Sequence, residues 1–240
     1  MNRVAELTPY ATAAGACMPA GALLARVGLV CPSWLEREFR YFIIAFGGGA
    51  MLGAVALVLV PAGMEQVHAP VAVLACVLAG GLFFFAIERA LGLHRRESPQ
   101  RMGMLLDHLP ESLALGGAFA FGAPMAPLLA AFIGLPNLPE GFNAYRELTH
   151  LPGARPRRVL WIMCLLVALG PLLAGMGWFF LAAHPQVLGA IMLFASGGIL
   201  YLILQDIAPQ SRLQKHWFPP LGAVAGFALS LLGKLLLGDT

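Results

Sequence analysis

From Tyr41 to Gly63 the chain runs without one charged residue, long enough to cross the hydrocarbon of a bilayer as a single helix. Comparable apolar stretches recur, and together they occupy 8–27, 41–63, 69–91, 101–122, 125–145, 158–182, 186–208 and 217–237, with short joints between them. Of the 240 residues 59% are hydrophobic and 11% charged, against about 25% charged in a soluble domain, so a water-soluble surface cannot be assembled. The expectation is one all-α membrane domain covering 1–240, with eight transmembrane helices and no soluble domain.

The charges fix an orientation. Arg26, Arg37 and Arg40 flank the first joint; Arg89, Arg95, Arg96 and Arg101 the third; Arg146, Arg155, Arg157 and Arg158 the fifth; Arg212 and Lys215 the seventh. The intervening joints hold no lysine or arginine, and Arg3 and Lys234 lie at the termini. Cytoplasmic loops carry the excess of positive charge, which puts both termini outside; the expected location is the plasma (inner) membrane. Nucleic acid is not expected as a partner, because no basic face is interleaved with aromatics. The four cysteines, Cys17, Cys31, Cys76 and Cys164, are scattered without CxxC spacing and read as packing residues.

Against this background "DHLPES" at 107–112 and its echo "PNLPEG" at 136–141 stand out. Ser98 and Pro99 read as the cap and first position of the fourth helix, and Gly122 and Pro124 as the turn into the fifth. The motifs lie equidistant from that turn, so in an antiparallel hairpin they share a level within the hydrocarbon. Asp107 and Glu111 are i,i+4; His108 and Glu111 are i,i+3; Asn137 and Glu140 repeat the latter spacing, so one cluster of five side chains is expected. Pro110 and Pro139 each remove a backbone donor and bend the helix, a feature tolerated in lipid where it lines a binding site. An ionised carboxylate at the bilayer centre costs about 2.5–3.5 kcal/mol, which a bound divalent cation offsets. The structural alternative is a set of protonated, hydrogen-bonded groups joining helices.

These motifs resemble those of the ZIP family of divalent-metal transporters, whose fourth helix carries H-N-x-P-E-G and whose fifth often carries Q-N-x-P-E-G. "GGGAMLGAVALVLVPAGME" at 47–65 is similar to the family's second helix and "GGILYLILQDIAPQS" at 197–211 to its seventh. The resemblance implies an eight-helix bundle, Glu111 and Glu140 as bridging ligands, Asp107 and His108 as a reordered ligand pair, Asn137 as a second-site ligand and Met51 on the metal path. By composition alone Met51 reads as core filler ahead of a place on the metal path. The chain departs from the pattern at Pro136, where the family has glutamine, at Gly170, where it has a Glu-Pro pair, and at Gln205-Asp206, where it has two acids.

The resulting expectation is a permease, not an enzyme, moving zinc, iron or manganese toward the cytoplasm without a resident cofactor. The metal and the lipid bilayer are its partners, and the resemblance implies a homodimer. Two other readings stand beside it. One is a divergent relative with lost or altered transport. The other is an intramembrane metal-dependent hydrolase, disfavoured because His108 is the only histidine within a span.

Overall fold

Glycine and proline decide how the helices of this chain meet. The computed structural model describes residues 3–27, 33–91, 100–120, 126–151, 153–181, 183–210 and 217–237, with the side chains of Asp107, Pro110 and Asp206 among those outside the description. The described residues are helical with no strand. Helix α1 is Arg3–Val27 and α2 covers 33–66, passing through a π turn at Val55–Leu59; α3 is Pro70–Leu91, α4 Gln100–Ala120 and α5 Ala126–Thr149. Helix α6 is Pro156–Leu181 with an interruption at Ala168, α7 covers 185–210 with a π turn at Ile203–Ile207, and α8 is Leu221–Leu237. Ser98-Pro99 and the 121–125 turn lie outside the described residues.

Four of these helices, at Glu38–Gln66, Pro70–Ala90, Pro156–Leu181 and Pro185–Gln205, are long and apolar enough to cross a membrane. That is the composition of a membrane protein. Helices α4 and α5 are not among them, because prolines and polar residues interrupt their apolarity. The radial arrangement is inverted relative to a soluble protein. Leu74 and Leu78 of α3, Trp161 and Phe179 of α6 and Leu236 of α8 are exposed, while Glu111, Ser112, Asn137 and Asn143 are buried on α4 and α5.

Four helix pairs cross at glycines. A Cβ on Gly21 of α1 would overlap the Leu138 carbonyl of α5, and one on Gly141 of α5 would overlap the Met18 carbonyl of α1. The same reciprocal contact joins α4 to α6 through Gly116 against Ala174 and Gly177 against Leu113. It joins α2 to α8 through Gly49 against Ala223 and Gly226 against Phe46, and α3 to α7 through Gly80 against Phe194 and Gly197 against Val77. Without a hydrophobic driving force in lipid, such close backbone approach is what holds helices together.

The registers of these contacts coincide. Adding 156 converts Met18 and Gly21 into Ala174 and Gly177, while subtracting 25 converts Leu138 and Gly141 into Leu113 and Gly116. Adding 148 converts Phe46 and Gly49 into Phe194 and Gly197, and 146 converts Val77 and Gly80 into Ala223 and Gly226. The shift of 148 also carries one π turn onto the other and Pro61 onto Pro209. Helices α1–α3 and α6–α8 are therefore two copies of one packing unit, and α4 and α5 exchange roles between them. Since Gly48 of α2 lies against Ile207 of α7 while Gly63 lies against Gly189, the equivalent helices α2 and α7 run antiparallel and the repeat is inverted.

Each π turn precedes a proline. Pro61 cannot donate to the Leu57 carbonyl four residues back, and widening the turn moves that carbonyl aside. Lys234 of α8 donates to it from 2.8 Å, so this lysine fills the gap that the proline leaves. Replacing Lys234 with methionine keeps the stem but strands the carbonyl. We expect a loss of about 1–2 kcal/mol, seen as a lowered unfolding midpoint in detergent; an unchanged midpoint would refute this role.

Candidate functional site

Helix α6 breaks at Ala168 because Pro171 has no N–H for the Val167 carbonyl. Just past the break, Gly170 lies against the His108 ring: a Cβ there would stand 3.4 Å from Nε2 and 3.1 Å from the Ala11 carbonyl oxygen of α1. The imidazole thus fills space beside the position where the resemblance expects a carboxylate, and a side chain at 170 would compete with it. His108 is 4% exposed, and its Nε2 lies 3.5 Å from the hydroxyl of Ser112, one turn along α4. Its Nδ1 is buried and has no hydrogen-bond partner among the described residues. An imidazole held at one nitrogen and open at the other is the arrangement of a metal-ligating histidine.

Glu111, 2% exposed, follows one turn after His108, and Glu140 is half-buried on α5. Asn137 is buried and donates through Nδ2 to the Ala14 carbonyl of α1 at 2.9 Å, so its amide nitrogen holds α5 to α1. Met51 is buried within the main apolar cluster, with Val55, Leu115 and Ile199. The side chain of Asp107 lies outside the described residues. Among those described, no three His, Cys, Asp or Glu side chains are grouped so as to hold one ion.

The direction of the two helices explains the spread. An echo read along antiparallel helices is reversed in space, so the acid of each motif lies level with the other motif's first residues. Counted from Ala120, where α4 ends, and Ala126, where α5 begins, Glu111 stands nine residues down α4 and Asn137 eleven down α5. His108 stands twelve down α4 and Glu140 fourteen down α5. At 1.5 Å per residue the two glutamates differ in depth by about 7.5 Å, while His108 and Asn137 are nearly level. By this count His108, Glu111, Asn137 and Glu140 are staggered along α4 and α5.

No family model matches the chain, and no curated protein matches it in sequence. The site therefore rests on its own geometry. Sequence reasoning did not single out Ser112, one helical turn from His108, or Asn143, whose buried Oδ1 has no hydrogen-bond partner among the described residues. Both were detectable as polar residues at i,i+4 and i,i+3 from His108 and Glu140. Gly170 was noted as a missing ligand, and in the structure it lies beside the histidine ring and closest to the Ala11 carbonyl of α1.

Proposed function

We propose that this chain is a ZIP-like permease that carries a divalent cation such as zinc, iron or manganese toward the cytoplasm. In this reading the helices cross the membrane eight times with both termini outside, and the cation passes the file of donors between α4 and α5. The observation that carries it is the buried Nδ1 of His108, open among the described residues and one turn from the buried Glu111. Ionisable groups at such depth stand on ion paths, and a file of carboxylate, imidazole and amide donors suits a borderline or hard divalent ion. Asp107 and Glu140 at the inner end would take the ion from His108 and Glu111. Met51 contributes packing to the wall.

A second reading, in which the fold persists and transport is lost, is favoured by Pro136 and Gly170, which bring no donor atom to positions where the resemblance expects ligands. Uptake of zinc, iron(II) and manganese(II) into proteoliposomes separates the two. Transport predicts saturable uptake of at least one ion, reduced at least about tenfold by His108→Ala, since ligand-shell changes cost 10–100-fold in metal affinity. Vesicles that take up none of the three ions, with folded protein present, would leave the second reading standing.

A further inference from the structure

The metal file leaves one buried acid unused. Glu88 is 7% exposed near the end of α3 and lies on the face that packs against α7, following Val77, Gly80 and Phe84 at helical spacing. Tyr201 donates its hydroxyl to Oε2, and Gln205 donates Nε2 to Oε1 at 3.4 Å. Gln205 belongs to the π turn Ile203–Ile207, so the carboxylate is clamped onto the wide turn of α7.

The inverted repeat makes this placement specific. The shift of 146 carries Glu88 onto Lys234, and the shift of 148 carries Gln205 onto Leu57. Each half thus has an ionisable side chain reaching from its last helix to the same point of the other half's π turn, with opposite charge. Lys234 meets a carbonyl, which only accepts. Glu88 meets a hydroxyl and a primary amide, the side-chain types that either donate or accept. When the carboxylate takes up a proton, the oxygen that carries it donates to its own partner, either the rotated tyrosine hydroxyl or the turned amide oxygen, and the other partner goes on donating to the remaining carboxyl oxygen.

We propose that Glu88, with Tyr201 and Gln205, is a reversible proton-binding site on the α3–α7 seam, separate from the α4–α5 file. Among the described residues, titratable or charged groups next to it are Tyr201 on α7, which bonds it, and the exposed Arg89, its neighbour along α3; the side chain of Asp206 lies outside the description. Proton binding exchanges a charged clamp on the π turn for a neutral one, and so couples proton occupancy to the grip of α3 on α7. The proposal does not depend on the metal reading, because its test involves no metal.

Infrared difference spectra of the full chain in lipid vesicles, taken between about pH 4 and pH 9, report the carbonyl stretch of protonated carboxylic acids across the range in which free and buried carboxyls titrate. Glu88→Gln should delete one titrating band, whereas the control Glu65→Gln, exposed in the last turn of α2, should leave that band in place. Tyr201→Phe should keep the band and move its midpoint by about one pH unit, the size expected for one hydrogen bond to a charged group. A spectrum unchanged by Glu88→Gln overturns the proposal. If that variant does not fold, a Tyr201→Phe midpoint identical to the wild type overturns it equally.

Discussion

On the permease reading, Glu111→Ala should abolish divalent-cation uptake in proteoliposomes and remove the stabilisation that such an ion gives the purified protein. The side chain is 2% exposed on a central helix, one turn from the open imidazole nitrogen of His108. A carboxylate there costs a few kcal/mol when ionised, which a doubly charged guest offsets. Wild-type protein should therefore unfold at a higher temperature when the ion is present, by mass action, with about 2.7 kcal/mol of stabilisation at a hundredfold excess over the dissociation constant. In Glu111→Ala the rise should vanish while the metal-free midpoint holds or climbs. A variant that still gains the full shift would remove Glu111 from the ion path.

The second large effect is structural. Gly116→Ala adds one methyl group, and that methyl would overlap the Ala174 carbonyl of α6. The obstruction is backbone, so no rotamer relieves it and the helices must separate. We expect a loss at or above the upper end of the 1–3 kcal/mol typical of overpacking. Gly141→Ala, its counterpart under the repeat, should cost a similar amount against the Met18 carbonyl of α1. Gly175 provides the control: a Cβ there meets nothing within 4 Å, so Gly175→Ala should be neutral or gain a few tenths of a kcal/mol in helix propensity. Thermal unfolding in detergent across the three variants tests the scheme, and equal effects at Gly116 and Gly175 would contradict it.

Much of the helical layout was legible in the sequence, because apolarity marks the middle of each rod. Its ends were less legible. Helix α2 begins at Ser33, ahead of the apolar start at 41, since "SWLEREFR" is helical and charged. The polar motif was legible as a composition anomaly, but its three-dimensional order was not. Matching the echoes as if they ran in the same direction put Glu111 and Glu140 at one level, whereas the hairpin reverses the second copy. Lys234 looked like a terminal charge because nothing local reveals that Pro61 has freed a carbonyl on another helix. The repeat left few traces in residue identity. Gly49 and Gly197 agree, as do Pro61 and Pro209, but Met51 stands where its copy has Ile199 and Leu57 where its copy has Gln205. Packing in lipid constrains size at crossings and leaves chemistry elsewhere free to diverge.

One consequence of the repeat concerns Glu111 itself. The exchange that relates α4 to α5 pairs Glu111 with Pro136, and the two stand nine and ten residues from the hairpin turn, so the axis relating the halves runs between them. A point on that axis is a fulcrum: when one half tilts against the other, everything else sweeps an arc and the fulcrum stays. A guest resting on Glu111 would hold its station while the doors on either side trade places, and the proline opposite leaves it a single handhold.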